Sequence, residues 1–310
     1  MRLMKSEPDI TVVVPVFNSE GTLKELFLRT RDVILEIGLN FEIIFVDDGS
    51  ADNSWKIICE LRERFTEAVR GFKLARNSGQ QPATICGLQQ ARGKWVLTLD
   101  DDLQSLPEDI PRLWDRARGE RVDVVYGVYP TPKHDLIRNL GSRLFHTILR
   151  LAAPDVPESS SFRLIRRDIL RSFPSSLGPW VFVDPILASL TSDIAIVAVR
   201  HERRRDGRSG YSFFKLFNIA ITVLLIYSTF PLRAMIWFGF LSAVISFCIG
   251  VYYLILKLTT SVAVGFSALI VTMTFGFGVI LLSLGILGIY ISRIYIMGTG
   301  RPCFTIKTEI

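Results

Sequence analysis

The four cysteines of this 310-residue chain are too few and too scattered for a disulfide framework or a zinc site. Cys59, Cys86, Cys248 and Cys303 form no Cys-x-x-Cys pair, the spacing typical of many zinc and redox motifs. Cys248 also lies within an uncharged apolar run. This cysteine usage fits a reducing compartment, where thiols stay free.

Several other signals are missing. The N-terminus lacks the basic start, apolar core and cleavage site of a secretory signal peptide, because its first apolar run, residues 10–16, is only strand-sized. Neither a Gly-x-Gly-x-x-Gly sequence nor a Walker A sequence occurs, so dinucleotide chemistry and ATP hydrolysis lose support. No nucleic-acid-binding signature is present either. We therefore expect the N-terminal part to stay in the cytoplasm.

The composition points to a membrane. The chain is 49% hydrophobic, which is high for a wholly soluble protein of this length, and the excess lies near the C-terminal end. The formal net charge of +6 fits an anionic partner. Because apolar segments are present, we favour the negatively charged cytoplasmic leaflet over nucleic acid as that partner.

Apolar runs of strand length alternate with helical patterns in the first hundred residues. The predicted strands are 10–16, 41–46, 69–75 and 95–99, and the predicted helices are 21–37, 53–65 and 82–90. Further strands are predicted at 123–128 and 194–199. This alternation predicts an α/β fold with a doubly wound, mostly parallel sheet.

Polar clusters follow the first four predicted strands. They are Asn18 with Glu20, Asp47 with Asp48, Arg76 with Gln80, and Asp100 with Asp102. Ligands of such sheets bind at the carboxyl ends of the strands, so these clusters predict one site. A carboxylate at Asp47 or Asp48 can accept hydrogen bonds from a uracil N–H or from ribose hydroxyls, and Arg76 can face a diphosphate or the base. The alternative for Asp48 is an ordinary turn, which Asp and Gly favour.

Three adjacent carboxylates, Asp100, Asp101 and Asp102, follow the fourth strand. They repel one another, so a strand end that keeps them usually holds a cation. In extended chain Asp100 and Asp102 point to one side and Asp101 to the other, and Gln104 can add a third oxygen. A few hard oxygen ligands suit Mg²⁺ or Mn²⁺ shared with a diphosphate. The alternative is a solvated acidic turn.

Four motifs now carry a specific resemblance: Val14-Pro15-Val16-Phe17-Asn18, Asp47-Asp48-Gly49-Ser50, Arg76-Asn77-x-Gly79-Gln80, and Asp100-x-Asp102-Leu103-Gln104-x-x-Pro107-Glu108. In order and spacing they resemble family 2 glycosyltransferases, in particular bacterial undecaprenyl-phosphate glucosyl and formamido-arabinosyl transferases. The resemblance implies a GT-A fold, a nucleotide-sugar donor with UDP favoured, inversion at the anomeric carbon, and a homotetramer in several relatives. It also implies a Mg²⁺ or Mn²⁺ ion at Asp100, Asp102 and Gln104. The donor contacts that we expect are Pro15, Phe17, Asn18, Glu20, Asp47, Asp48, Arg76, Gln80 and Asp101.

Residues 159–167 resemble the second landmark of this family, with two departures. Many relatives carry Asp where this chain has Ser161, and Arg where it has Tyr129. A phosphate monoester acceptor is already ionised at neutral pH, since its second pKa is about 6, so it needs no general base. Metal and arginines would then work by positioning and charge stabilisation. Asp184 is a secondary candidate for a base.

A basic loop at residues 201–211 resembles the family segment that ends in Gly-x-Ser-Lys-Tyr. Aligned on Gly207, Arg204 is the expected phosphate contact, and Gly210 stands where the family has Lys. The expected lipid-phosphate contacts are Arg138, Arg204, Ser209 and Tyr211, and the expected catalytic residues are Asp102, Arg163 and Arg204. The alternative is a charged loop next to anionic lipid.

The C-terminal third predicts membrane attachment. Residues 1–210 form the expected cytoplasmic catalytic domain, and 211–231 an amphipathic helix on the membrane surface, for which a third span is the alternative. Residues 232–292 hold two predicted spans, about 234–256 and 262–291, because both are uncharged and long enough to cross. Positive charges flank the pair, so both termini, including the tail 293–310, are expected in the cytosol.

The catalytic domain and the predicted membrane segments together predict a metal-dependent, multi-pass glycosyltransferase of the inner membrane. It would move a sugar from a nucleoside-diphosphate sugar to polyprenyl phosphate, for cell-envelope glycan or lipid A modification. A polysaccharide synthase is a rival, although no Gln-x-x-Arg-Trp motif occurs. A catalytically silent membrane scaffold of the same fold is a second rival. A transporter has little support, because the predicted spans contain no ionisable residue.

Overall fold

The computed structural model describes residues 7–119, 121–129, 161–173, 182–200, 202, 230–259, 266–299 and 302–310. The chain divides into two compact units. The first comprises Met1–Leu136, Asp155–Gly210 and Gly300–Ile310, and the second comprises Ile137–Pro154 and Tyr211–Thr299.

The first unit contains one sheet. Its strands in the described residues are β1 (Ile10–Val16), β2 (Phe41–Asp47), β3 (Val69–Leu74), β4 (Trp95–Thr98), β5 (Val124–Val128), β6 (Arg163–Arg166), β7 (Ile194–Ala198) and β8 (Ile306–Glu309). The spatial order is β7-β5-β6-β4-β1-β2-β3-β8. The adjacent strands β4, β1, β2 and β3 are parallel to one another, and β7 is parallel to β5. Two strands are antiparallel to their neighbours: β6 to β4 and β5, and β8 to β3. The predicted α/β fold with a mostly parallel sheet is confirmed.

Helices cover this sheet. They are α1 (Leu23–Glu36), α2 (Ser54–Arg64), α3 (Gln80–Gln90), a 3₁₀ turn at Pro107–Asp109, α4 (Ile110–Gly119), α5 (Arg167–Leu170) and α6 (Val183–Leu190). Side-chain alternation along the fully buried β1 explains the layers. Val12 and Val14 pack with Phe27 of α1, and Val13 packs with Ile85 of α3.

Three local predictions need correction. α3 begins at Gln80, two residues earlier than the sequence predicts, and β4 ends at Thr98 instead of residue 99. Asp101 and Asp102 therefore lie in a turn and not in extended chain. The two antiparallel strands were not predicted, because β6 and β8 have only four residues each and both contain charged side chains.

The second unit contains two long helices in the described residues, α7 (Phe230–Thr259) and α8 (Phe266–Gly298). Among those residues, one stretch, Phe275–Gly298, is long and apolar enough to cross a membrane, and Ala234–Ile249 is a shorter apolar stretch. The prediction of two spans is thus not confirmed. The surface helix predicted at 211–231 lies outside the described residues apart from residues 230 and 231, as does the segment 136–151, whose apolar spacing also predicts a helix.

Candidate active site

The carboxyl ends of β1, β2, β3 and β4 meet at one edge of the sheet, and their loops are fastened by carboxylates. Glu20 Oε2 accepts hydrogen bonds from the backbone N–H of Asn53 at 2.9 Å and from its side-chain amide at 2.8 Å. Asn18 Oδ1 accepts from the backbone N–H of Ala51 at 2.8 Å, and the Asn18 N–H donates to Ser50 Oγ. Both predicted donor contacts therefore join the loop after β1 to the loop after β2.

Asp48 fastens the next pair of loops. Its two carboxylate oxygens accept from the backbone N–H groups of Ser78 at 2.7 Å and Gly79 at 2.8 Å. Burial raises the pKa of Asp48, and these two amides oppose that rise. Gly49 has φ of +75°, and a Cβ there would come within 3.0 Å of the Asn77 backbone nitrogen, so glycine is needed for this close approach. Asp48 thereby shapes the loop that bears the exposed Arg76.

Asp47, by contrast, keeps one oxygen without a hydrogen bond. The side chain is fully buried, and its Oδ1 accepts from the backbone N–H of Ser50 at 3.1 Å. Its Oδ2 has no hydrogen-bond partner and lies 3.6 Å from Lys73 Nζ. Buried acceptors are normally paired, so this oxygen is a candidate for a ligand contact. Pro15 lies at the end of the same parallel pair, beside Val46.

Asp101 turns toward the loop after β1. Its Oδ2 accepts from the Phe17 backbone N–H at 3.0 Å and from the Ser19 hydroxyl. Burial raises the pKa of Asp101 to about 6, although these hydrogen bonds oppose the rise. The carboxylate predicted as a donor contact is therefore engaged with the protein, and it holds the half-exposed Phe17 at the mouth of the site.

Asp100 turns the other way. Its Oδ1 accepts from the Gln80 side-chain amide at 2.7 Å, and its Oδ2 accepts from the Ser161 hydroxyl. Burial raises the pKa of Asp100, the Ser161 hydrogen bond lowers it, and the nearby charge of Asp102 raises it again. Asp102 is held by the Gln104 backbone N–H, which donates to its Oδ1 at 3.1 Å. Leu103 between them has φ of +59°, a conformation that a side chain rarely adopts.

The acidic turn fits a divalent cation. The described residues contain no group of three or more His, Cys, Asp or Glu side chains that could hold a metal by themselves. Mg²⁺, however, commonly takes only one or two protein carboxylates and completes its shell with substrate phosphates and water. Asp100 and Asp102 lie close enough for the charge of one to act on the other, and both side chains offer carboxylate oxygens as metal ligands. Asp100 and Asp102 are thus the residues that could hold it, and Gln104 as a third ligand stays a prediction.

The Arg163 side chain is buried inside the fold, where it cannot face a substrate. Its side chain is 2% exposed, donates through Nε to Thr98 Oγ1 at 3.0 Å, and forms an ion pair with Asp184. The Tyr126 hydroxyl donates to the same Asp184 oxygen at 3.2 Å. A direct catalytic contact by Arg163 and a role for Asp184 as a free base do not fit this arrangement. The motif alone did not reveal which face of β6 the side chain occupies.

The basic loop starts beside the acidic turn. The Glu202 backbone N–H donates to the Gln104 carbonyl at 3.1 Å, and the Arg200 N–H donates to the buried Asp109 at 2.8 Å. Arg138, Arg204, Ser209 and Tyr211 lie outside the described residues, so the predicted lipid-phosphate contacts remain predictions.

Sequence reasoning missed two hydroxyl contacts at this site. Ser161 and Tyr129 were noted only as departures from the family pattern, yet Ser161 binds Asp100 and the Tyr129 hydroxyl pairs with Ser105 Oγ. The departures themselves were the available signal. Their partners depend on β5, β6 and β4 lying side by side, which the sequence did not reveal.

Comparison with known proteins supports the same class. The model of glycosyl transferase family 2 matches residues 11–173. The chain is 35% identical to an undecaprenyl-phosphate 4-deoxy-4-formamido-L-arabinose transferase of Pseudomonas aeruginosa (strain LESB58), over 97% of this chain and 90% of the relative. It is 32% identical to the protein of the same name from Klebsiella pneumoniae (strain 342), over 97% and 93%.

A solved structure supports the fold. Glucosyl-3-phosphoglycerate synthase from Mycobacterium tuberculosis, in complex with phosphoglyceric acid, aligns with a TM-score of 0.50 and 22% identity, over 70% of this chain and 78% of that chain. At this identity the likeness concerns the fold and not the substrates.

Proposed function

Because the chain belongs to glycosyl transferase family 2, we propose that it moves a sugar from a nucleoside-diphosphate sugar, with UDP favoured, to polyprenyl phosphate at the inner membrane. The observation that carries the proposal is the extent of the match to the formamido-arabinose transferases. It spans 97% of the chain and so includes the apolar helices α7 and α8 as well as the catalytic unit. Lipid A or another envelope glycan is the proposed destination of the sugar.

The loops fastened at the carboxyl edge support a nucleotide-sugar site. Glu20 and Asp48 fix the loops that carry Phe17 and Arg76, so an aromatic ring and a guanidinium border the same edge. Asp47 offers a buried acceptor oxygen there. A base, a ribose and a diphosphate require this combination of ring contact, acceptor and positive charge.

The chemistry requires little from protein acids and bases. A divalent cation at Asp100 and Asp102 would neutralise the charge that develops on the nucleoside-diphosphate leaving group. The acceptor phosphate is ionised at neutral pH and can attack the anomeric carbon without losing a proton. Ser161 stands where many relatives carry a carboxylate, and its hydroxyl donates to Asp100. A serine there is compatible with the proposed reaction, because an ionised acceptor phosphate needs no base at that position.

The strand β8 supports an even number of membrane crossings. Its residues pair with β3 in the catalytic sheet, and the Ile310 and Gly71 backbones exchange hydrogen bonds of 2.9 and 3.0 Å. The chain leaves the catalytic unit after Gly210 and returns to it at Gly300. A third span at 212–230 would place β8 on the far side of the membrane from its own sheet. Two crossings, by α7 and α8, with both ends cytosolic are therefore proposed.

A fusion experiment tests this topology. Green fluorescent protein attached after Ile310 should fluoresce, whereas alkaline phosphatase attached there should be inactive and should become active when inserted between α7 and α8. Active phosphatase after Ile310 would contradict the proposed topology.

A transfer assay tests the function. Full-length protein in detergent is given undecaprenyl phosphate and a panel of radiolabelled UDP- and GDP-sugars, with Mn²⁺ or Mg²⁺ and, separately, with chelator. We expect a glycolipid from one UDP-sugar, formed only with metal, and this product would also name the sugar. Folded protein that yields no glycolipid from any donor, yet binds UDP, would favour the silent scaffold instead.

A further inference from the structure

Both oxygens of Asp100 are held by uncharged donors from different parts of the fold. Gln80, at the start of α3, donates to Oδ1 at 2.7 Å, and Ser161, just before β6, donates to Oδ2. The neighbouring carboxylates have different partners: Asp101 accepts from a backbone amide and a hydroxyl of the β1 loop, and Asp102 accepts from a backbone amide of its own turn. The orientation of Asp100 thus depends on two side chains.

Ser161 is itself fixed by a buried chain of contacts. Its carbonyl accepts from the Thr98 hydroxyl, whose oxygen accepts from Arg163 Nε at 3.0 Å. Arg163 is paired with Asp184. Each group in this chain has a defined partner on each side, so the Ser161 backbone has little freedom. The hydroxyl of Ser161 thereby meets Asp100 from a position two residues before β6.

Because Gln80 and Ser161 are neutral, they add no further negative charge to the acidic turn. Asp100 and Asp102 already repel each other, and a third carboxylate at position 161 would add a like charge beside Asp100. A hydroxyl instead donates a hydrogen bond to the charged form and leaves the other lone pairs of the carboxylate for a cation. Hydrogen bonds of this kind orient ligating carboxylates in metal sites.

We propose that Ser161 is a positioning residue, whose hydroxyl holds Asp100 in the orientation that lets the Asp100 and Asp102 pair bind a divalent cation. This inference deepens the proposed function and rests on it, because the proposed sugar transfer is what gives the cation a role. It assigns to Ser161 a part in cation binding and none in proton transfer. Gln80 supports the same carboxylate from the opposite side.

Direct measurement of Mn²⁺ binding tests the proposal without sugar transfer. Full-length protein in detergent is titrated with Mn²⁺, and the free ion is followed by electron paramagnetic resonance. Ser161→Thr keeps the hydroxyl, whereas Ser161→Val has nearly the same shape as that variant and lacks it. We expect the Thr variant to bind Mn²⁺ within about twofold of the unchanged protein, and the Val variant about tenfold more weakly.

Two controls separate the possible failures. Asp102→Asn should abolish Mn²⁺ binding, because it removes a ligand charge, and near-ultraviolet circular dichroism should show that all variants are folded. In the transfer assay, the Val variant should need a higher Mn²⁺ concentration for half-maximal rate, while its rate at saturating Mn²⁺ stays close to that of the Thr variant.

The binding titration decides between the outcomes. Equal Mn²⁺ affinity in the Thr and Val variants, or no Mn²⁺ binding by the unchanged protein, overturns the positioning role. If no sugar donor yields a glycolipid in the transfer assay, that result would count against the proposed function. The Mn²⁺ titration would still show whether Ser161 positions Asp100.

Discussion

The two halves of the carboxyl edge use their carboxylates in different ways. In the half formed by the loops after β1, β2 and β3, Glu20 and Asp48 accept hydrogen bonds from backbone amides of neighbouring loops. In the half formed by the acidic turn and β6, Asp100 is held by the neutral side chains of Gln80 and Ser161. The first arrangement gives shape to the proposed donor pocket, and the second leaves negative charge available to the proposed cation.

This comparison also separates residues that look alike in sequence. Asp101 stands between two candidate metal ligands, yet its contacts place it with the loop-fastening group. Arg163 belongs to the segment that resembles the family's second landmark, yet it is buried and paired with the partly buried Asp184. The three predictions that follow, and the closing measurement, test whether carboxylates and arginines of the two groups behave differently.

The largest effect on stability is expected at the ion pair between the buried Arg163 and the partly buried Asp184. Arg163→Met leaves Asp184 without its cation, which typically costs about 3–5 kcal/mol of unfolding free energy. Most domains have only about 5–15 kcal/mol of stability, so expression and melting temperature should fall sharply. The double variant Arg163→Met with Asp184→Asn should recover part of the loss, because the neutral amide needs no cation and its oxygen can still accept from the Tyr126 hydroxyl. A normal melting temperature with abolished turnover in Arg163→Met would instead support a direct catalytic contact.

A smaller effect is expected from Asp48→Asn. The amide offers one oxygen in place of two, so one of the backbone N–H groups of Ser78 and Gly79 loses its acceptor. The cost should be about 1–3 kcal/mol, and the loosened loop around Arg76 should weaken UDP binding. Thermal melting and a UDP titration measure the two effects. Asp115→Asn on the exposed face of α4 is the control and should change neither.

The smallest effect is expected at a partly exposed ion pair that joins α1 to the 3₁₀ turn after the acidic turn. Arg29 of α1 donates two hydrogen bonds of 2.8 Å to Glu108, and this pairing lowers the pKa of Glu108. A carboxylate with a lowered pKa stabilises the fold above its usual pKa and loses that contribution as the pH falls. Because Glu108 is 39% exposed, Glu108→Gln should cost only about 1 kcal/mol at neutral pH.

The pH dependence of that loss is the check. The difference in melting temperature between Glu108→Gln and the unchanged protein should shrink as the pH falls from about 4.5 through the lowered pKa, below which Glu108 is protonated in both the folded and the unfolded state. Glu25→Gln removes the single bond of 3.0 Å to the same arginine and should cost less. A difference that stays constant down to low pH would contradict the assigned cause.

The sequence predicted the parts of the fold that depend on local pattern. β1 and β2 are nearly continuous apolar runs, which is how strands buried on both faces read. β6 and β8 were missed because each is four residues long with charged positions, and their strand state comes from pairing with β4, β5 and β3. Such non-local pairing leaves no periodic signal in a segment of four residues.

For the candidate site, likewise, the sequence predicted which residues lie near one another but not their individual contacts. The parallel topology alone places Asp48, Arg76 and Asp100 at one edge, so their proximity could be inferred. Which oxygen meets which donor could not be inferred, because Asp48 reaches the loop after β3 and Ser161 reaches Asp100 only through three-dimensional neighbours. The inward orientation of Arg163 depends likewise on the face that β6 presents to α3 and α6.

The most direct test of the account compares Asp102→Asn with Asp101→Asn in the transfer assay at saturating Mn²⁺. The two positions are adjacent and the chemical change is identical. We expect Asp102→Asn to reduce glycolipid formation on the order of 10²-fold or more, because it removes a charge from the cation site. We expect Asp101→Asn to retain product within about tenfold, because its amide oxygen can still accept from the Phe17 N–H. Equal loss in the two variants, or an active Asp102→Asn protein, would contradict the division between loop-fastening and cation-binding carboxylates.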